Sequence, residues 1–179
     1  MKIRPIETER LFLRGFEKDD ALFAIGIWND AETGKYLPDP AMTEIGEAYL
    51  KTVQALGEDA ECCYLIAVSK ETGERIGTCS FMPSEGGDAF DIAYCVSGAF
   101  WNQGYATEMA KGMLDAFRVR GGKRATVRVN RENAASNRIA QKLGFRVVGE
   151  KVYKKRGTDR TFTDYLYELD LDCALKARS

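Results

Sequence analysis

A chain of 179 residues is about the length of one ordinary domain, and 45% hydrophobic with 30% charged residues describes a globular protein with apolar material for a core. Lys and Arg number 26 against 27 Asp and Glu, so a net charge of -1 gives no overall pull toward nucleic acid or an anionic membrane. The opening stretch MKIRPIETERLFLRGF scatters its charges instead of forming the apolar run of a signal peptide, and no apolar stretch is long enough to span a bilayer, so the expected location is the cytoplasm, away from membranes.

Arg10 to Arg14 (RLFLR) alternates and reads as a first strand, and Asp19 to Trp28 reads as a short helix with Leu22, Phe23 and Ile27 apolar. The loop YLPDP follows, fixed by Pro38 and Pro40. Thr43 is placed to cap a second helix with Ile45, Tyr49, Val53 and Leu56 on one face and Gly57 as its stop. Tyr64 to Ser69 and Arg75 to Met82 are strands flanking the turn KETGE. A loop with Gly86 and Gly87 leads to a third strand of this group, Phe90 to Ser97. The segment AFWNQGYA then runs into a helix with Ala106, Met109, Ala110, Met113, Leu114 and Phe117 at helical spacing, ended by Gly121 and Gly122. Ala125 to Val129 is a strand, Asn133 opens a short helix closed by Gly144, and Arg146 to Tyr153 with Thr163 to Asp170 form a final strand pair. Three consecutive strands imply an antiparallel meander, and the strand–helix–strand unit after them implies parallel pairing: one layered α/β domain on a mixed sheet.

Histidine is absent, which removes the usual base of Ser-His-Asp and Cys-His chemistry and the commonest zinc ligand. The five cysteines (Cys62, Cys63, Cys79, Cys95 and Cys173) have no CxxC spacing, and they read as reduced, buried thiols. No metal is expected.

The informative stretch is FDIAYCVSGAFWNQGYATEM, where a strand ends, a turn containing Gly104 follows and an amphipathic helix begins. A helix start presents unpaired backbone N–H groups and the positive end of the helix dipole, an anion site suited to phosphate. Gly104 and the small Ala106 allow a ligand close to the backbone; the plainer alternative is a simple turn. Neither a P-loop nor GxGxxG is present, and GGKR at Gly121 follows a helix instead of preceding one.

At these residues the sequence resembles the GNAT superfamily of N-acetyltransferases. The family's Q/R-x-x-G-x-G/A loop is matched by Trp101-Asn102-Gln103-Gly104-Tyr105-Ala106, with Trp101 in place of Gln or Arg. That substitution, the opening ETERLFLRGFEKDDA, and NRENAASNRIAQKLGFRVVGE with Asn133, Ser136, Lys142, Leu143, Gly144 and Phe145 are similar to the ribosomal-protein alanine acetyltransferase (RimJ/RimL-like) branch. The resemblance covers nearly the whole chain. It implies a single-domain α/β GNAT fold over 1–179, with a mixed, mostly antiparallel sheet of about seven strands flanked by about four helices. It also implies acetyl-CoA as cosubstrate, its pyrophosphate on the backbone amides of Gln103, Gly104, Tyr105 and Ala106, with Thr107 beside them. The pantetheine arm would lie along the strand ending near Val96, and the thioester in a gap between the strands around Asp91–Val96 and Ala125–Val129. Asn133 and Ser136 would face the cosubstrate.

Acetyl transfer to an amine needs a base for the ammonium, a donor for the developing oxyanion and a proton for the leaving thiolate, but no covalent enzyme intermediate. Asp91, where the family often has a carboxylate acting through water, is the base candidate; the plainer alternative is a solvated strand-end aspartate, and Glu85 and Asp88 are weaker choices. Ser136, or a water it holds, is the acid candidate, because the position where many members carry a tyrosine is Ala140; capping of the Asn133 helix is the alternative. Tyr153 and Tyr165 could also donate, although strand aromatics usually belong to the core. The run KVYKKRGTDR reads as a solvated hairpin in preference to an acidic-substrate site. Trp28 and Tyr36 lie in the helical N-terminal part, where the family shapes its acceptor pocket; core packing is the alternative. The expected acceptor is a protein N-terminal amine, the alternatives being a small amine (polyamine, amino acid or aminoglycoside) or a non-catalytic acyl-CoA-binding module. The expected state is monomer or homodimer, with no nucleic-acid partner.

Overall fold

The computed structural model of the chain describes residues 4–37, 42, 44–84, 87–155 and 158–172. Strands β1 (Ile6–Glu7) and β2 (Leu11–Gly15) lead through a 3-10 turn at Lys18–Asp20 into α1 (Ala21–Asn29). A second 3-10 turn at Thr33–Tyr36 precedes α2 (Glu47–Gln54). Strands β3 (Cys63–Ser69), β4 (Arg75–Pro83) and β5 (Ala89–Val96) follow, then α3 (Tyr105–Val119), β6 (Arg124–Asn130), α4 (Ala134–Lys142), β7 (Arg146–Lys154) and β8 (Thr161–Asp170). The strands form one sheet in the order β1-β2-β3-β4-β5-β6-β8-β7. Every pairing is antiparallel except β5 with β6. Among the described residues the mixed, mostly antiparallel sheet with four α-helices is thus as expected, with β1 as an eighth strand: two residues beside Pro5 carry no alternation to read.

The start of the second helix differs from the sequence reading. Gly46, in an extended conformation, is its N-cap; Thr43 lies outside the described residues, as do Pro38, Pro40, Glu85, Gly86, Arg156 and Cys173. Ile45 precedes the helix and is 46% exposed, while Leu56 and Gly57 belong to a separate 3-10 turn. Gly57 is required by contact, since a Cβ there would run into the Phe16 carbonyl oxygen. Among the described residues no helix is long and apolar enough to cross a membrane, and no three His, Cys, Asp or Glu side chains gather as a metal site.

The feature that positions the site is a parting of strands. β5 and β6 pair over Ala89↔Arg124, Phe90↔Ala125 and Asp91↔Thr126. Beyond that rung β5 stays with β4 as far as Val96, and β6 stays with β8 as far as Asn130. A wedge therefore opens between Ile92–Val96 and Val127–Asn130. Its closed end is clamped by aromatic packing: Phe90 stacks on Phe117 of α3 at 4.3 Å between centroids, and Phe81 meets Phe117 edge-on at 4.7 Å. Such pairs contribute about 0.5–1.5 kcal/mol beyond their buried area.

Strand alternation sorts the side chains onto two faces. Cys63, Leu65, Cys79, Phe81, Ile92, Val96, Val127, Val129 and Tyr167 share one core with the apolar stripe of α3 (Met109, Ala110, Met113, Leu114, Phe117) and with Ala140 of α4. Ile66, with Tyr64 and Val68 against it, packs in a second core with Ala21, Ala24 and Ile25 of α1 and Val53 of α2. On this second face Trp28 donates from Nε1 to Thr78 Oγ1 at 3.2 Å, so Trp28 is a packed core residue.

Candidate active site

A cavity of about 1270 Å³ runs through the wedge and is lined from both faces. It exceeds the roughly 300–1,000 Å³ of an ordinary small-molecule site, so it has room for two reactants. The alternation described above divides its walls. Tyr94, Val96, Val127 and Val129 look toward α3 and α4. Asp91, Ala93 and Cys95, whose β4 partners are Met82, Ser80 and Thr78, look toward α1 and α2 together with Arg128, Asn130 and Asp164.

On the α3–α4 face two helix N-termini meet the cavity. Trp101, Asn102, Gly104, Tyr105, Ala106 and Thr107 line it at α3, and Asn133, Ala134, Ala135 and Ser136 line it at α4. The loop enters α3 through two left-handed residues, Asn102 (φ 61) and Gly104 (φ 83). The Glu108 N–H donates to the Gly104 carbonyl at 3.1 Å, which closes the first turn; the amides ahead of it have no carbonyl one turn back and are free to meet an anion. Trp101 donates from its indole to the Val96 carbonyl at 2.8 Å, tying the loop to the end of β5. Gln103 is not among the residues that line the cavity: its side-chain amide donates to the Ala99 carbonyl at 3.4 Å, and its own carbonyl accepts from Arg10.

Asn133 caps α4, its Oδ1 accepting from the Ser136 N–H at 3.1 Å. Capping and a place on the cavity wall therefore coincide. Beside Ser136 stands a residue the sequence reading missed. Tyr94 is half-buried, and its hydroxyl is itself buried and lacks a hydrogen-bond partner of good geometry. Burial pushes its phenol up to about 12, with the Ser136 side chain as the opposing influence.

On the α1–α2 face the Asp91 Oδ1 accepts from Thr126 Oγ1 at 2.8 Å, at the closed end of the wedge. Asp164 sits on β8 opposite Asn130, toward the open end. Its Oδ1 is buried without a partner. Burial raises its carboxyl above the ordinary value, against the pull of Arg128, Tyr153, Asn130 and Lys151. Asp164 was also missed, since nothing in TFTDYLYELD marks its depth. The 3-10 turn at Thr33–Tyr36 straps this face: Tyr36 donates to the Glu132 carbonyl at 3.3 Å, Tyr153 to the Tyr36 carbonyl at 3.5 Å, and Lys155 to the Lys35 carbonyl at 3.1 Å. The basic hairpin is therefore not uniformly solvated, because Lys155 is only 9% exposed and pinned by carbonyls. Tyr165 packs edge-on to Tyr167 and joins the core instead. Of the weaker base choices, Asp88 lies near Arg124 at 3.8 Å and off the cavity, and Glu85 is outside the described residues.

Cys62 and Cys95 line the cavity and are free. Burial raises both thiols, Cys95 to about 12, which leaves neither as a ready thiolate nucleophile. Cys63 and Cys79 are buried and free, as expected.

Comparison with known proteins agrees with the fold. The family described as acetyltransferase (GNAT) domain matches residues 10–146. An uncharacterised N-acetyltransferase, p20, of Bacillus licheniformis is 29% identical over 167 residues, 90% of this chain and 93% of the relative. A GNAT-family acetyltransferase of Bacillus anthracis superposes with a TM-score of 0.79 at 24% identity, covering 94% of this chain and 99% of the other. RimL, a ribosomal alpha-N-protein acetyltransferase solved with coenzyme A, superposes with a TM-score of 0.75 at 19% identity, covering 94% and 99%.

Proposed function

This chain belongs to the GNAT acetyltransferase family, and from that premise we propose that it is an acetyl-CoA-dependent enzyme acetylating a primary amine, with a protein N-terminal amine as acceptor. The observation that carries the reading is the wedge, open to a helix-terminus anion site on one face and to a carboxylate-bearing pocket on the other. The chain fits acetyl-CoA at the point that is hardest to satisfy. Gly104 is left-handed at the α3 N-terminus, where a side chain would be strained, and it lines the cavity.

Acetyl-CoA supplies the acyl group as a thioester, and the amine nitrogen bonds to its carbonyl carbon as the carbon–sulfur bond breaks and CoA departs as the thiol. Asp91 takes the proton of the ammonium through a water, on the acceptor face. Ser136, with the Tyr94 hydroxyl behind it, supplies hydrogen bonding and a proton at the departing sulfur, on the opposite face. The amides of Gly104, Tyr105 and Ala106 bind the pyrophosphate, with Thr107, Asn133 and Val96 along the rest of the ligand. The two candidates stand on opposite faces of the sheet at the same gap, which supports one acting on the acceptor amine and the other on the departing sulfur.

A second reading, acetylation of a small amine, is favoured by the strap at Thr33–Tyr36, which bridges the acceptor face where an extended peptide would need a groove. One assay separates the readings: release of free CoA thiol from acetyl-CoA with a panel of small amines and of short peptides with free N-termini. Turnover of peptides alone supports the first reading, and turnover of small amines alone the second. Tight acetyl-CoA binding without turnover on any amine would leave an acyl-CoA-binding module.

A further inference from the structure

The anion site at α3 has an unusual charge balance. Gly98 to Thr107 contains no Lys or Arg, and Trp101, where the resembling family has Gln or Arg, directs its indole to the Val96 carbonyl. A cation is nevertheless built against the loop from the far end of the chain. Arg10, in the turn between β1 and β2, donates from Nε to Glu108 Oε2 at 2.7 Å, from its backbone N–H to Glu108 Oε1 at 2.7 Å, and from Nη1 to the Gln103 carbonyl at 3.0 Å. Its guanidinium lies 4.3 Å from the centroid of the Tyr105 ring. Its Nη2 stands 3.5 Å from where a Cβ on Gly104 would be.

Resting on the acetyl-CoA reading above, we propose that Arg10 is the positioning residue of the phosphate loop, aiming the Gly104 amide at the ligand. The argument is the planarity of one peptide. In a trans peptide the C=O of one residue and the N–H of the next point in opposite directions. Arg10 grips the Gln103 carbonyl on the side away from the cavity, and Gln103 accordingly does not line the wall while Gly104 does. The same grip therefore turns the Gly104 N–H inward. Glu108 keeps the fork from swinging: Thr8 Oγ1 donates to it at 2.6 Å and Arg10 occupies both its oxygens. A lysine, with a single point of charge, cannot hold Glu108 and the Gln103 carbonyl in one rigid geometry. The Arg10 side chain is 43% exposed against 15% for Glu108; Glu108 keeps the Thr8 hydroxyl and the residue-10 backbone N–H when the guanidinium is removed, so the variant is expected to fold.

The test uses the full chain and two ligands that differ in the diphosphate. Acetyl-CoA affinity is measured by calorimetry, and S-acetylpantetheine, which lacks the nucleotide diphosphate, by NMR shift titration at millimolar concentration. Arg10→Ala is expected to weaken acetyl-CoA by about 10- to 100-fold, the range for a lost charge-assisted contact, and to change S-acetylpantetheine by less than twofold. Arg10→Lys should recover only part of the loss. Equal weakening of both ligands, or no weakening of either, overturns the proposal. If the unaltered protein binds no acetyl-CoA, the acetyl-CoA reading itself falls and takes this inference with it.

Discussion

Thr126 donates its hydroxyl to Oδ1 of Asp91 at 2.8 Å, across the last rung before β5 and β6 separate. The bond fixes one carboxylate oxygen and leaves the other to face the cavity that Asp91 lines. With Asp91 as base, Asp91→Asn should lower kcat by about 10²- to 10⁴-fold and leave acetyl-CoA affinity unchanged. Thr126→Val should lower it by only about 3- to 10-fold, since the carboxylate survives with looser aim. Steady-state kinetics with the acceptor found in the amine screen decides; an unaltered kcat in Asp91→Asn removes this residue from the chemistry.

Gly104 has φ +83, and a Cβ there would meet Arg10 Nη2 at 3.5 Å. Gly104→Ala adds left-handed strain of about 1–2 kcal/mol, while its Cβ makes only ordinary van der Waals contact with the guanidinium. Acetyl-CoA affinity should fall by at least about tenfold in calorimetry. Should Gly104→Ala bind acetyl-CoA as tightly as the unaltered chain, the phosphate does not sit on this turn.

Asp20 is fully buried, yet it receives Arg14 at 2.7 and 2.8 Å, Arg75 at 2.9 Å and the Glu17 N–H at 2.8 Å. Burial alone would raise its carboxyl; the Arg14 fork, the Glu17 amide and Arg75 overcome this and hold it below the ordinary value. A depressed acid contributes stability above its unfolded value, about 3.9, and loses it as pH falls through the lower folded value. Asp20→Asn should therefore cost about 3 kcal/mol at pH 7, with the gap narrowing in strong acid. Urea denaturation at pH 7 and pH 3 measures both; a gap of the same size at both pH values would contradict the linkage.

Asp164 has the opposite sign. Its carboxyl is raised, chiefly by burial, so the folded state is penalised as pH rises past the unfolded value, and fully so above the folded one. Asp164→Asn is permanently neutral and should raise Tm at pH 7 by about 1–3 °C. The same substitution should raise KM for a cationic acceptor several-fold without altering acetyl-CoA affinity, as a site that trades stability for binding does. A lower Tm with unchanged acceptor KM would make Asp164 a structural residue.

What could be read from the sequence was local. Asn133 and Ser136 are three residues apart, and their cap follows from spacing alone. The stripe of α3 repeats with the helical period, and Met109, Ala110, Met113, Leu114 and Phe117 are buried as that period selects. Tyr94 and Ser136 belong to different elements that only the parting of β5 and β6 brings to one wall. Arg10 reaches Gln103 and Glu108 over separations of 93 and 98 residues, and no periodicity encodes such a partner. Lys155 misleads for another reason. A charge run is normally hydrated, but here carbonyls of the Thr33–Tyr36 turn replace the water.

Strands β5 and β6 are each complete on one side only over the wedge, so the backbone groups that face the gap form an unfinished ladder. An extended ligand with amide groups of its own can complete that ladder as a guest strand. Binding would then join two half-sheets that share three rungs into one continuous unit, and amide exchange should slow most in Ile92–Val96 and Val127–Asn130. The cosubstrate would thus serve as a removable piece of secondary structure, and the enzyme would be mechanically whole only while it is loaded.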